Sequence, residues 1–215
     1  MNSVLRIKFI LICLIYNFSY SQSSVESDEL SKNRERSVAF GFNLYKPVPT
    51  GENFFADSAS GTIGFDFNFQ VFVYKQIFIG LSLGDSYFDN EDISFSGNYS
   101  KVTLSSQELF IGYEYLFNKD FRIGASITLI GDSRYRNNQS TTNNVYQIDK
   151  ATLRKYQIYF GYDVDRTVTF YLNYAYRNDK TKIQTAPEIS ADFDRIDFHN
   201  IGVGIKLYLG QKAIF

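Results

Sequence analysis

The stretch Gly61–Tyr74 reads Gly-Thr-Ile-Gly-Phe-Asp-Phe-Asn-Phe-Gln-Val-Phe-Val-Tyr, and it decides the fold. Apolar side chains occupy every second position from Ile63 to Val73, while glycine and polar residues such as Asp66 lie between them. Because successive side chains of a strand point to opposite faces, this pattern predicts one long strand with an apolar face and a polar face. At about 3.3 Å per residue the strand is long enough to cross a bilayer at a tilt, which takes about 9–11 residues.

Seven further segments alternate in the same way, so the sequence predicts eight strands in total. The predicted strands are 37–46, 61–74, 77–86, 103–117, 121–131, 153–163, 167–177 and 193–210. The connections between them are long and short in turn. The long ones are predicted as loops at 47–60, 89–98, 132–149 and 178–192, and the short ones as turns at 75–76, 118–120 and 164–166. Pro47 and Pro49 are expected to end the first strand, because proline cannot donate to a ladder.

No charge interrupts the apolar faces that define these strands, such as the alternate positions from Ile63 to Val73. The polar faces carry Asp66, Glu114, Arg122, Asp163, Arg177 and Lys206. An even strand number, alternating connections and an apolar outer face predict an all-β protein, an eight-stranded antiparallel up-and-down transmembrane β-barrel. The alternative is a soluble eight-stranded barrel with its faces reversed. That barrel would need an outer face rich in Lys and Glu, whereas the polar face here is dominated by Gly, Ser, Thr and Asn.

The region before the first strand has two parts. Residues 1–21 predict a secretory signal peptide, with Arg6 and Lys8 before an apolar run and small residues before the expected cleavage site. Cys13, the sole cysteine, lies inside that run, so the mature chain is expected to lack disulfides and thiolate metal sites. Residues 22–35 are predicted as a polar, flexible lead-in, and residues 36–215 as the barrel domain.

Composition supports a membrane setting and argues against a nucleic-acid partner. The net charge of the 215 residues is -1, so no large basic field is available for nucleic acid. Aromatic residues make up 18% of the chain. Amphipathic rings favour the headgroup zone, so those near strand ends are expected to form two aromatic girdles. The candidates are Tyr45, Tyr74, Tyr113, Tyr115, Phe117, Phe121, Tyr162, Tyr174 and Tyr176.

The barrel interior is the predicted site of interest. Eight strands enclose only enough room for side chains, and charges in such a space must be paired. A charge network that plugs the lumen is therefore expected from Asp66, Glu114, Arg122, Arg177 and Lys206. The alternative is that charges of the polar faces lie near the strand ends and remain solvated, with Asp163, Arg122 and Arg177 as the candidates.

The pattern from about residue 36 to 209 resembles the small OmpA/OmpX-like outer-membrane barrels and the related porin-family β-barrel domains. Like them, the chain combines a leader, eight alternating strands and a C-terminal aromatic residue, Phe215, although Ile201–Leu209 offers a second candidate assembly signal. The resemblance implies an integral protein of the Gram-negative outer membrane. It also implies the barrel-assembly machinery, outer-membrane lipid and lipopolysaccharide as partners, and an unknown extracellular ligand.

Three functions are compatible with this pattern: a structural or surface-interaction role through the outer loops, a narrow pore or transporter of small or hydrophobic solutes, and a lipid A-modifying enzyme. The third is disfavoured because His199, the sole histidine, has no serine in a His-x-Ser arrangement and has the parity of the lipid-facing side. No catalytic residue and no cofactor is predicted. The acidic residues of the loops, among them Asp89 and Asp179, match no metal-binding spacing and are expected to be solvated.

Overall fold

The structure is a computed structural model, and it describes residues 36–92, 99–118, 120–139 and 145–210. The predicted signal peptide (1–21), the lead-in (22–35) and the C-terminal Phe215 lie outside the described residues. None of the helices in the described ranges has the length and apolar character needed to cross a bilayer.

Eight antiparallel strands form one closed sheet in which each strand pairs with its neighbours in sequence. β1 also pairs with β8, from Val38↔Leu209 to Thr50↔Asp197, and this pairing closes the barrel. The strands are β1 (Val38–Thr50), β2 (Ala59–Tyr74), β3 (Ile77–Asn90), β4 (Tyr99–Leu116), β5 (Phe121–Gln139), β6 (Val145–Asp163), β7 (Val168–Thr181) and β8 (Arg195–Leu209). The predicted fold class, an eight-stranded up-and-down barrel, is therefore confirmed.

The two faces of the sheet are oriented as their composition predicts. Phe67 and Leu83 are 59% and 62% exposed on the outer wall, whereas Asp66 is 7% exposed inside. The outer wall is thus an apolar belt of Phe, Leu, Ile and Val side chains that only a lipid environment can cover favourably.

The first strand runs further than its prolines suggested. The prediction that Pro47 and Pro49 end β1 is wrong, because both residues remain paired with β8, opposite Asn200 and Phe198. On its other side the paired register of β1 with β2 reaches only Tyr45. The Pro47 carbonyl faces Gly61 of β2, where any Cβ would collide with it. The N and C=O of a strand residue point to the same side. The nitrogen of Pro47, which carries no hydrogen, therefore faces β2, where the paired register has already ended and no donor is needed.

One of the segments predicted as outer loops is largely strand where the structure describes it. β5 and β6 continue as a paired ribbon from Asp132↔Thr152 to Asn138↔Val145, so the predicted loop at 132–149 is wrong. The register shifts between Leu109 and Phe110 of β4, where Ile130 and then Thr128 of β5 pair. This bulge reverses the face parity of β5, so that even residues of β5 point inward before the bulge and odd residues of β5 point inward after it. β3 and β7 also extend beyond their predicted ends.

The two ends of the barrel differ. At the short-turn end, tight connections join β2 to β3, β4 to β5 and β6 to β7. At the long end the β1–β2 connection contains a helix, α1 (Phe54–Ser58), which Asn53 caps by accepting from the Ala56 N–H at 2.9 Å. The β7–β8 connection contains a 3₁₀ turn (Pro187–Ile189) and a short helix, α2 (Ser190–Phe193).

Most of the predicted girdle residues lie on the outer wall, but one does not. Tyr74, Tyr113, Tyr115 and Tyr162 are exposed near the short-turn end, and Tyr174 is exposed on the other side of the belt. Tyr45 is an exception and corrects the prediction. It points inward, is buried, and its hydroxyl lies 2.9 Å from the Ser86 hydroxyl.

Candidate functional site: the barrel interior

The lowest polar layer of the interior, nearest the short-turn end, is built around Glu114 of β4. Glu114 is buried, and its carboxylate accepts from the Tyr208 hydroxyl at 2.8–2.9 Å and from the Tyr159 hydroxyl. It also forms ion pairs with Arg122 and with Lys206, whose Nζ lies 3.2 Å away. One carboxylate on β4 thus collects donors from β5, β6 and β8 across the lumen.

Arg122 connects this carboxylate to a second one. Its guanidinium donates to both oxygens of Asp163, from Nε at 2.8 Å and from the second terminal nitrogen at 2.6 Å. Thr169 donates to the same carboxylate at 2.6 Å. Two cations therefore face two carboxylates in this layer, and a bidentate pair of this kind is among the stronger ionic contacts in proteins.

Aromatic rings surround the cations of this layer. The Lys206 Nζ lies 3.6 Å from the ring centroid of Tyr159, and the Arg122 guanidinium lies 4.6 Å from that of Tyr208. An apolar cluster of Ala39, Phe72, Phe78, Phe110 and Tyr208 lies beside it. The layer is thus satisfied by hydrogen bonds and enclosed by rings, as buried charges require.

The middle layer contains a second ion pair, between Glu108 of β4 and Lys155 of β6. Glu108 also accepts from the Thr128 hydroxyl at 2.5 Å. Asp66 lies at a similar level and accepts from the side-chain amides of Asn43 and Asn68, each at 3.5 Å. The interior cavity at this level measures about 10 Å³, which is room for about one water molecule.

The third layer lies towards the long end and joins Arg177 to Asp179. The guanidinium donates to both carboxylate oxygens, at 2.9 and 2.8 Å, and to the Ser133 hydroxyl at 2.6 Å. The Tyr135 hydroxyl donates to Asp179 at 2.7 Å. The Arg177 guanidinium also lies 4.9 Å from the ring centroid of Phe198. The pair is therefore completely enclosed.

An aromatic cluster, here called the mouth cluster, closes the long end above this layer. Phe55 of α1 is 2% exposed and contacts the rings of Phe88 at 4.9 Å and Tyr135 at 5.6 Å. Phe54 stacks on Phe193 of α2, with centroids 4.4 Å apart. Among the residues that the structure describes, the buried members are Phe54, Phe55, Phe88, Tyr99, Val102, Leu104, Tyr135, Ala151, Ile196 and Phe198. A cavity of about 160 Å³ remains inside the mouth.

Solved structures of outer-membrane proteins are similar to this chain. Neisserial surface protein A matches with a TM-score of 0.52 and 9% identity, over 79% of this chain and 96% of that one. The outer membrane protein OprG from Pseudomonas aeruginosa matches with a TM-score of 0.53 and 8% identity, over 81% of this chain and 98% of that one. The fold is that of a small outer-membrane β-barrel. No protein-family model matches the sequence, and a comparison with curated proteins finds no match.

This outer-membrane fold agrees with the predicted location and architecture. At such low identity these similar structures show the fold alone. The roles of individual interior residues therefore depend on the geometry of this chain.

The predicted interior residues do not form one cluster. Glu114, Arg122 and Lys206 lie together, whereas Asp66 lies a layer away with amide partners and Arg177 lies near the long end with Asp179. The alternative that places Asp163, Arg122 and Arg177 at solvated ends is wrong, since all three are buried.

Four further charged residues of the interior were not among the predicted site residues: Asp163, Glu108, Lys155 and Asp179. Asp163 was recognised on the polar face but given no partner. Glu108 and Lys155 have inward parity on β4 and β6, and this parity was a usable signal. Asp179 was predicted to be a solvated loop residue, which is wrong: it is completely buried on β7. Its strand extends past the predicted end, and no local signal reveals that extension.

One titratable group in a turn at the short-turn end has a clear electrostatic role. The exposed Asp165 carboxylate accepts from the backbone N–H groups of Thr167 at 2.6 Å and Val168 at 2.8 Å. These hydrogen bonds lower the pKa of Asp165 below its ordinary value. The carboxylate thus stabilises the β6–β7 turn in its ionised form.

His199 lies on the outer wall within an aromatic group. Its Nδ1 lies 2.7 Å from the Tyr174 hydroxyl, and its ring lies 5.5–5.6 Å from the rings of Tyr174 and Tyr176. These contacts are those of a residue in the outer aromatic girdle.

Proposed function

We propose that this protein is a sealed, non-catalytic barrel of the Gram-negative outer membrane that presents its long end to partners outside the cell. Outer-membrane barrels direct short turns to the periplasm and long connections outward. The short-turn end of this chain therefore faces the periplasm and its long end faces the outside. We propose that the barrel-assembly machinery inserts the protein into the outer membrane.

The closure of the interior is the observation that carries the proposal. A solute entering from outside would meet the mouth cluster around Phe55, then the Arg177–Asp179 pair, and then the layers around Glu108 and Glu114. Each layer joins side chains from several strands. Opening a path would break ion pairs in a space of low dielectric, where lost pairing is costly.

The length of the outer strands supports a role at the cell surface. β5 and β6 have 19 residues each. At about 3.3 Å per residue and a tilt of about 40°, such strands rise about 45–50 Å, against an apolar belt of about 25 Å. The paired ribbon of β5 and β6 therefore projects well beyond the lipid and offers a preformed surface, which lowers the entropic cost of binding a partner.

Solute flux into reconstituted vesicles tests the proposal. Vesicles with the folded protein should take up arabinose no faster than protein-free vesicles, while a 16-stranded porin, which has an aqueous channel, serves as the positive control. The Phe55→Ala variant, which opens only the mouth cluster, should remain equally tight because the layers around Glu108 and Glu114 persist. Uptake that falls with increasing solute size would contradict the sealed barrel and favour the narrow-pore alternative.

The enzymatic alternative has a separate test. Mass spectrometry of lipid A from cells with and without the protein should give the same profile. A change in acylation that disappears on deletion would establish lipid A modification and refute the non-catalytic role.

A further inference from the structure

An outer-wall groove of about 360 Å³ lies where the apolar belt ends on the long-end side of β2 to β5. Phe65, Phe67 and Leu83 form its apolar wall, and Arg134 and Arg136 of β5 lie at its opposite side. On the middle strand β4, the outward residue Ser105 is small and leaves the space open. Its volume is in the range of known small-molecule sites.

The basic side of the groove continues onto the neighbouring strand. Arg134 is paired in register directly with Lys150 of β6, and both side chains are exposed. Arg136 and Arg154 point outward on the same two strands. Like charges directly opposite each other on a sheet are destabilising, so this arrangement favours an anion bound between them.

Two carboxylates also belong to the groove, Asp85 and Asp132. They balance the two arginines of the lining, and the excess of two positive charges comes from Lys150 and Arg154 on the neighbouring β6. The excess lies at the level where the apolar belt gives way to polar residues, which is the headgroup level of the bilayer. A ligand of this region must therefore satisfy both an apolar wall and a cationic rim.

We propose that this groove binds a phosphorylated lipid of the outer leaflet, with a phosphate held by Arg134, Arg136 and Lys150 and an acyl chain against Phe67 and Leu83. Guanidinium groups suit phosphate because they donate in a bidentate fork. The inference rests on the membrane orientation proposed above, and it assigns a site and a binding chemistry on this chain to the outer-leaflet lipid.

Native mass spectrometry of the folded protein in detergent, with bisphosphorylated lipid A as the probe, tests the site. Arg134→Gln combined with Arg136→Gln should weaken binding by about tenfold or more, since charged hydrogen bonds of this kind are strong. Lys46→Gln combined with Arg195→Gln removes the same charge from β1 and β8 on another part of the wall and should leave binding unchanged. Lipid A without phosphates should bind the wild type about as weakly as the double variant binds the intact lipid.

Three results would overturn the site: wild-type affinity in the Arg134/Arg136 variant, an equal loss in the Lys46/Arg195 variant, or equal binding of dephosphorylated lipid A. Competition by inorganic phosphate at matched concentration would also refute it, because a free anion would then suffice. If the double variant does not fold, Lys150→Gln alone is expected to weaken binding. The test measures no conductance, so its failure would leave the sealed-barrel proposal standing.

Discussion

Replacing Glu114 by Gln removes one buried charge while keeping the size of the side chain. In the wild type, the carboxylate lies 3.2 Å from the Lys206 Nζ and also pairs with Arg122. The Coulomb attraction of two unit charges at that distance is about 5 kcal/mol at an effective dielectric constant of about 20. In the variant Arg122 keeps its ion pair with Asp163, whereas Lys206 loses its ion pair and keeps uncharged contacts such as Gln70 at 3.3 Å and the face of Tyr159.

The free energy of unfolding should therefore fall by about 3 kcal/mol, the lower end of the range for removing one partner of a buried pair. The amide oxygen of Gln can still accept one hydrogen bond, which offsets part of the Coulomb loss. Adding Lys206→Met removes the stranded cation, and the double variant should recover at least about half of the lost stability. Glu52→Gln, at an exposed position, is the control and should change stability by less than about 0.5 kcal/mol.

The assay is urea unfolding in lipid vesicles, followed by gel mobility without boiling, because a folded barrel migrates differently from the heated chain. A loss of less than about 1 kcal/mol for Glu114→Gln would show that the carboxylate does not hold Lys206 as the structure indicates. A double variant no more stable than Glu114→Gln would refute the stranded-cation explanation.

Two further predictions concern packing and pH. Gly124→Val should lower stability by about 1–3 kcal/mol, because a Cβ there would overlap the ring of Tyr159. The adjacent outward Ala125→Val should be nearly neutral in the same urea assay, and equal losses would refute the argument. Asp165→Ala should lower the urea midpoint at neutral pH, because the wild-type pKa is depressed in the folded state. That stabilisation is present above the unfolded pKa and is lost as pH falls through the folded pKa, so the two midpoints should converge in acid. A difference that persists there would contradict it.

Local alternation was sufficient for the strand number, the two faces and the barrel class. A period of two is a property of the chain itself, and Phe67 and Asp66 therefore reveal their faces without knowledge of any neighbour. The inward charges from Asp66 to Lys206 were recognisable for the same reason.

The partners of those charges were decided only by the closed sheet. Glu114 meets Lys206 and Tyr208, which follow it by 92 and 94 residues, because the register and tilt of eight strands bring these residues to one level of the lumen. The bulge near Ile130 likewise reverses the parity of β5 beyond it, and this places Tyr135 inside against Asp179.

The lengths of the outer strands were also beyond local sequence. Polar residues at 132–139 and 145–149 have weak strand preference, and they extend β5 and β6 because pairing within an existing sheet overrides that preference. The sequence by itself thus determined which side of each strand faces lipid. The tertiary structure decided where the strands end, how α1 closes the mouth and which charges meet, since these depend on contacts between residues distant in the chain.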